Sequence, residues 1–107
     1  MSITVNLYYT GINGAARRFA EEMESTGTAD AIRNEEGNRG YRYFIPMDDP
    51  ETVLLIDSWK DQAAIDAHHA SDMMKKIAEL RDKYDLHMTA LRFVSEDMGD
   101  DEKFIRK

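Results

Sequence analysis

Hydrophobic and polar residues alternate at the start of the chain with the period of a half-buried strand. The apolar positions are Ile3, Val5, Leu7 and Tyr9. Two glycines then interrupt the alternation, with Asn13 between them as a candidate helix cap. Helical spacing follows, and its apolar stripe consists of Ala16, Phe19, Ala20 and Met23. Gly27 is expected to end this helix, and Thr28 to cap a shorter one that Gly37 closes.

The middle of the chain predicts a hairpin and then two further helices. Strands are expected over about 41–47 and 52–59, joined by a turn rich in proline and aspartate. Asp61 is a candidate cap for a helix over 62–70, and Ser71 for the next helix. The stripe of that last helix is Met73, Ile77, Leu80 and Tyr84. Alternation returns over 87–94 and predicts a fourth strand.

The predicted element order is β, α, β, β, α, β, which indicates an α+β fold of the ferredoxin-like type. In such a fold a four-stranded antiparallel sheet carries helices on one face. The other face would still present apolar residues, among them Tyr8, Leu54 and Ile56. A second copy of the chain is the simplest cover for that face, so we expect a homodimer.

The composition narrows the classes of function. The 107 residues carry a net charge of −7, and an acidic surface disfavours nucleic acids and anionic membranes as partners. Cysteine is absent from the sequence, which excludes disulfides, thiolate catalysis and cysteine-based metal sites. The first residues do not follow the pattern of a signal peptide, and no apolar run could span a bilayer. We therefore expect a cytoplasmic protein.

The acidic segment after Val94 differs from the rest of the chain. Residues 1–94 are predicted to form the domain, and residues 95–107 a C-terminal tail. A frayed, solvated tail is one reading of this composition. The other is an arm whose Phe104 and Ile105 dock on a partner subunit.

His68 is the strongest candidate for chemistry. It lies three positions after Ile65, on or beside the helix face that is expected to point at the sheet. A partly buried imidazole is well suited to accept a proton near neutral pH. The alternative is a structural histidine that is bonded to a backbone carbonyl or to Asp72. Adjacent histidines on a regular helix cannot ligate one metal ion together, so His69 does not complete a site and no metal is expected.

Four other residues are candidates for binding a substrate. Trp59 stands at the end of a predicted strand, where its ring could form a wall against a flat molecule, although such a tryptophan is commonly core. Tyr43 could hold a substrate oxygen, and Met73 could shape a pocket. Asn6 is a further candidate donor, although strand parity places it on the face opposite the helices. Asp57 is predicted to form a structural ion pair with Arg42 or Arg92.

Three short motifs carry a family resemblance. They are Glu36-Gly37 followed by Tyr41, then Asp57-Ser58-Trp59, and finally His68 with Ser71 three residues later. In this order and at these spacings, residues 2–94 resemble the antibiotic biosynthesis monooxygenase family of dimeric α+β barrel proteins. That family includes quinol-type oxygenases and haem-degrading enzymes.

The resemblance implies a quinol-monooxygenase-like protein that uses no flavin, haem or metal cofactor. Haem-degrading relatives have an asparagine that Asn6 could match, but they have a tryptophan where His68 stands. Their haem-ligating histidine would fall at Ala78, so haem degradation is not expected. The chain also departs from many relatives at Met73, where they carry a second histidine.

The sequence therefore predicts a homodimeric, cofactor-independent monooxygenase that oxidises a small aromatic or quinol-like molecule with dioxygen. In this hypothesis His68 is the base, Trp59 the pocket wall, Tyr43 or Asn6 a hydrogen-bonding aid, and Met73 part of the pocket. An isomerase acting on a small carbonyl compound is one alternative, because the same base could serve it. The other is a dimeric ligand-binding or stress-associated protein without turnover.

Overall fold

The computed structural model describes residues 2–107, which form one sheet covered by helices. The elements in chain order are β1 (Ile3–Thr10), α1 (Ala15–Ser25), α2 (Thr28–Arg33), β2 (Asn38–Phe44), β3 (Thr52–Trp59), α3 (Gln62–His69), α4 (Met73–Lys83) and β4 (His87–Val94). The four strands are antiparallel to their neighbours and lie in the order β2-β3-β1-β4. The predicted α+β class and four-stranded antiparallel sheet are confirmed.

The hydrophobic core lies between the helices and the inner face of the sheet. Alternate strand residues point into it, as the period of two requires. The buried strand residues are Ile3, Tyr9, Tyr41, Val53, Leu55 and Trp59, and the helices add Phe19, Met23, Ile32, Ile65, Ile77 and Leu80. Asp57 and His68 are buried in the same layer, so two titratable groups lie inside an otherwise apolar region.

The outer face of the sheet has no cover among residues 2–107. Phe44 is 38%, Leu91 56% and Phe93 50% exposed there. In the register of the sheet, Tyr8 pairs with Leu54, and Leu54 pairs with Phe44. A row of apolar residues therefore crosses three strands on this side.

Several predicted boundaries and caps need correction. β2 begins at Asn38 instead of Tyr41, since its first residues pair with β3 across an irregularity in the register. Asn13 does not cap α1; it has a φ of 54°, and Gly14 occupies the cap position. Asp61 does cap α3, because its Oδ1 accepts a hydrogen bond of 2.9 Å from the Ala64 N–H.

Two further capping predictions are wrong. Thr28 is the first residue of α2, and Gly27, at a φ of 78°, takes the cap position. The Ser71 hydroxyl donates to the His68 carbonyl at 2.6 Å, closing α3 instead of capping α4. With both corrections, the helices still cover the residues that the apolar stripes predicted.

The C-terminal segment leaves the sheet immediately after β4. The Ser95 N–H donates to the Ser2 carbonyl at 2.9 Å, and beyond it residues Gly99–Phe104 form a 3₁₀ helix. All residues of that helix are exposed, Phe104 among them. Among residues 2–107, no helix is both long enough and apolar enough to cross a bilayer.

Candidate active site

His68 and Glu35 form a buried hydrogen-bonded pair at the centre of the candidate site. His68 lies in the last turn of α3 and is 5% exposed, and Glu35 lies in the loop between α2 and β2. The His68 Nδ1 atom lies 2.8 Å from Glu35 Oε1. A carboxylate at that distance accepts the Nδ1–H, which leaves the Nε2 lone pair to act as acceptor. Neither a backbone carbonyl nor Asp72 is the partner of this ring, so the expected structural contacts are wrong.

Trp59 packs against the imidazole of His68. The two ring centroids lie 4.8 Å apart with an interplanar angle of 30°. Trp59 ends β3 and His68 lies in α3, so the strand-to-helix junction brings the two rings together. The indole therefore restricts the rotation of the imidazole while Glu35 anchors one of its nitrogens.

A cavity of about 40 Å³ adjoins His68. Its walls come from β1, β2, β3, α3 and α4, and its polar members are Tyr9, Tyr41, Asp57, His68, His69 and Arg81. A volume of this size accommodates one or two water molecules or a diatomic gas, whereas a benzene ring needs on the order of 150 Å³. An aromatic substrate would therefore need side chains at the cavity wall to move.

Asp57 contributes a buried carboxyl group to the cavity wall. Its Oδ1 atom has no hydrogen-bond partner among residues 2–107. Burial raises the pKa of Asp57 to about 6, while the Trp59 indole N–H and the charge of His68 oppose the rise. The predicted ion pair is absent from the described residues: Arg42 lies over the Phe44 ring on the outer face.

Arg92, the other predicted partner of Asp57, is also occupied elsewhere. Its Nη2 donates to Gln62 Oε1 at 2.6 Å. Asp57 is therefore a carboxyl group in an apolar layer without a basic side chain bonded to it.

Arg81 and Tyr9 form the opposite part of the cavity wall. The Arg81 Nη2 donates to the Tyr9 hydroxyl oxygen at 2.8 Å, and its guanidinium carbon lies 5.4 Å from the centre of the Tyr9 ring. Burial raises the pKa of the Tyr9 hydroxyl, and Arg81 acts against that rise. Arg81 therefore holds the neutral phenol of Tyr9 at the cavity wall, and this contact already engages part of the N–H donors of the guanidinium.

The predicted binding residues do not all meet at this cavity. Tyr43 directs its hydroxyl to that of Tyr41 at 2.9 Å, and desolvation raises the pKa of both phenols. Asn6 lies on the outer face of the sheet, between Ile56 and Leu91. Met73 packs against the core, and its neighbour Met74 lines the cavity. Their roles remain predictions.

A larger groove lies away from His68, between α1 and the β2–β3 hairpin. It encloses about 540 Å³ and is lined by Arg17, Ala20, Glu21, Glu24, Ser25, Tyr43, Phe44, Ile45 and Val53. The groove is wide open and has no histidine or buried carboxyl group in its wall. Its size alone therefore does not make it the better candidate for chemistry.

Glu35, Arg81 and Tyr9 are the site residues that the sequence did not indicate. Glu35 stands beside Glu36 in a loop, where nothing in the local pattern distinguishes one acid from the other. Tyr9 and Arg81 lie 72 positions apart, so no short motif joins them. Among residues 2–107, no group of three or more histidine, aspartate or glutamate side chains is arranged to hold a metal ion.

Comparison with protein families gives one match. The model of a family described as antibiotic biosynthesis monooxygenase matches residues 2–80. No curated protein is significantly similar to the chain.

Solved structures share the fold at low sequence identity. SnoaB, a cofactor-independent oxygenase from Streptomyces nogalater, superposes with a TM-score of 0.74 at 17% identity, covering 92% of this chain and 97% of its own. A conserved protein from Methanosarcina mazei gives 0.75 at 21% identity, covering 90% and 94%. A protein of unknown function from Bacteroides thetaiotaomicron gives 0.74 at 14% identity, covering 86% and 95%. These likenesses establish the fold of the chain.

Proposed function

This chain belongs to the antibiotic biosynthesis monooxygenase family, and on that premise we propose that it is a homodimeric, cofactor-independent monooxygenase. Its substrate in this proposal is a small aromatic or quinol-like molecule, oxidised by dioxygen. The observation that carries the proposal is the geometry of His68, whose Nδ1 is bound to Glu35 and whose ring lies against Trp59 beside a cavity.

His68 is the proposed base. Glu35 accepts the Nδ1–H and thereby selects the tautomer whose Nε2 has a free lone pair. When Nε2 takes a proton from a phenol, the carboxylate stabilises the imidazolium that forms. General base catalysis of this kind accelerates a reaction by about 10²- to 10⁴-fold.

The oxygenation itself needs no bound cofactor in this proposal. Deprotonation converts an electron-rich phenol into an anion that can pass an electron directly to dioxygen. The protein then supplies the base, the orientation and an enclosure that excludes water. The buried His68 supports the role of base in this proposal, and the apolar residues around it support the role of an enclosure that excludes water.

Entry of an aromatic ring requires the site to open. Met74 and Leu7 line the cavity and are only partly buried, and a methionine side chain adapts readily to a new neighbour. We propose that these side chains yield when the ring enters. Dioxygen could then occupy the small space that is present beside His68.

The proposed dimer forms through the outer face of the sheet. Exposed Phe44, Leu91 and Phe93 together make an apolar area that a second copy would cover. Asn6 lies on that face, so its proposed role as a hydrogen-bonding aid would depend on the dimer.

The test is oxygen uptake by metal-stripped protein with a panel of quinols and polyphenols. Wild type, His68→Gln and His87→Gln are compared, the last being a matched control because His87 is exposed at the start of β4. We expect uptake by the wild type and the control, and a loss of about 100-fold or more in His68→Gln. Equal uptake by all three would show substrate autoxidation and overturn the role of His68.

The second candidate function is an isomerase that acts on a small carbonyl compound. The small volume of the cavity favours it, since a molecule of a few atoms needs less rearrangement than an aromatic ring. Exchange of substrate protons with deuterium under nitrogen, dependent on His68, would favour this reading over the first.

A further inference from the structure

The Asp57 carboxyl group is a buried acid in the cavity wall that the proposed function leaves unused. Asp57 is 7% exposed, and its Oδ1 has no hydrogen-bond partner within residues 2–107. A buried carboxylate without a partner is costly, so such a group is retained in the neutral form or given something to bond. Because Asp57 lines the cavity, a molecule in that cavity can contact it.

The Trp59 indole N–H acts on the Asp57 carboxyl group, but the groups around it leave Oδ1 without a partner among residues 2–107. The titratable or charged side chains that face it are Tyr9 from β1, Tyr41 from β2, His68 and His69 from α3, Arg81 from α4 and Glu35 from the adjoining loop. The Arg81 guanidinium donates to Tyr9, and the His68 Nδ1 is engaged by Glu35. An acid in an apolar setting and a base held by a carboxylate thus line the same space.

We propose that Asp57 is a second catalytic residue, which donates a proton to the peroxide formed from dioxygen while His68 takes the proton of the phenol. This inference rests on the proposed function, because it assigns a residue to the same reaction. When the side chains at the wall yield to the ring, the small space beside His68 and Asp57 still has room for two oxygen atoms, so the dioxygen unit lies there against the reactive ring carbon.

The steps balance without another reactant. His68 Nε2 takes the phenol proton, the anion gives one electron to dioxygen, and the two radicals join through a new carbon–oxygen bond. The Asp57 O–H bond breaks, and its proton converts the peroxide anion into a hydroperoxide. The Asp57 carboxylate then removes the hydrogen from the same carbon as the oxygen–oxygen bond breaks, and the imidazolium protonates the departing oxygen. A phenol and dioxygen give a quinone and water, with both residues restored.

The substrate class follows from this sequence of steps. The reactive ring carbon must bear a hydrogen, because Asp57 removes that hydrogen in the last step. It must also share the charge of the phenolate, so it lies ortho or para to the hydroxyl group. Phenols substituted at those carbons would not be converted to quinones by this route.

The test compares wild type, Asp57→Asn and Asp82→Asn across a pH series with the phenol that the wild type oxidises best. The amide introduced by Asp57→Asn keeps the size of the side chain and a donor but has no proton to transfer, and Asp82 is an exposed residue of α4. For Asp57→Asn we expect the turnover rate to fall by about 100-fold or more while KM stays within about threefold. The decline of the wild-type rate with rising pH should be absent from Asp57→Asn and unchanged in Asp82→Asn.

The possible outcomes separate the two proposals. If Asp57→Asn keeps the wild-type turnover rate and pH profile, the role of Asp57 is overturned and that of His68 stands. If the wild type shows no uptake beyond that of His68→Gln, the proposed function and this inference fall together.

A ¹³C NMR titration of the aspartate carboxyl groups is a second test. It uses the wild type alone, so its result does not depend on whether Asp57→Asn folds. An Asp57 that titrates as an ordinary exposed aspartate would overturn the proposal, and one that titrates near neutral pH would support it.

Discussion

The Nδ1 atom of His68 lies 2.8 Å from Oε1 of Glu35, although 33 positions separate the two residues in the chain. Both side chains are largely buried, with exposed fractions of 6% and 16%. A hydrogen bond to a charged group in such a setting contributes about 1.5–3 kcal/mol. The contact ties the loop before β2 to the end of α3, so the same bond serves the fold and orients the imidazole.

Replacing Glu35 with glutamine should lower activity more than stability. The amide can still accept from Nδ1–H, but it carries no charge to stabilise an imidazolium, so turnover should fall by about tenfold or more. The melting temperature should change by a few degrees at most. Oxygen uptake and thermal unfolding of Glu35→Gln measure both effects.

The adjacent Glu36→Gln is the matched control, since Glu36 has no bond to His68. It should behave as the wild type in both measurements. Full activity of Glu35→Gln would contradict the idea that the carboxylate activates His68, even if the hydrogen bond is present.

The pH dependence of stability should report the buried Asp57. Its pKa is raised from 3.8 to about 6 in the folded protein, so the folded state binds more protons than the unfolded state between these values. The stability due to this group is therefore complete below pH 3.8 and is lost as the pH rises through about 6. Asp57→Asn should be more stable than wild type above neutral pH, by up to about 3 kcal/mol, and the difference should vanish in acid.

Urea unfolding at several pH values checks this expectation, with Asp82→Asn as the exposed control. The control should follow the wild type at every pH. A wild type that exceeds Asp57→Asn in stability above neutral pH would mean that the carboxylate has a stabilising partner in solution.

Strand parity could be predicted from the sequence, and it explains which site residues were found. Alternation placed Trp59 on the inner face of the sheet, and helical spacing placed His68 towards it. The same parity rule excludes Arg42 as a partner of Asp57, because neighbouring strand positions point to opposite faces. The ion pair was predicted from charge alone. The register of β2 with β3 rules out Arg42, whereas Arg92 shares the inner face with Asp57 and donates to Gln62 instead.

Glu35 could not be predicted because its contact depends on tertiary structure. Two adjacent acids precede Gly37, and only the path of the loop decides which of them reaches α3. The early start of β2 at Asn38 was missed for a related reason: polar residues and a glycine there pair with β3 without any apolar alternation. At the Glu35 loop and at the start of β2, contacts between residues far apart in the sequence determine the structure more than local residue preferences do.

The outer face of the sheet should determine the oligomeric state. Phe93 pairs with Thr4 on β1 and is half exposed. We expect the wild type to sediment as a dimer and Phe93→Glu as a monomer, because the carboxylate would be buried without a partner in the interface. Met47→Glu, in the exposed hairpin turn, should remain dimeric. A monomeric wild type would contradict the dimer, and a dimeric Phe93→Glu would place the interface elsewhere.

Gly37 and Gly27 form a matched pair that tests how tightly the Glu35 loop is packed. Both have positive φ, of 85° and 78°, so an alanine at either position would be strained by about 1–2 kcal/mol. A Cβ at Gly37 would also lie 2.5 Å from the Ala64 Cβ in α3, whereas nothing lies within 4 Å of one at Gly27. The free energy of unfolding of Gly37→Ala, measured in urea, should therefore fall by about 1 kcal/mol or more beyond the fall in Gly27→Ala.

Because the clash would push the loop away from α3, Gly37→Ala should also weaken the contact of Glu35 with His68 and lower activity. Equal losses in the two variants would mean that the loop and α3 separate easily, and the Glu35–His68 bond would then be too loosely held to orient a base.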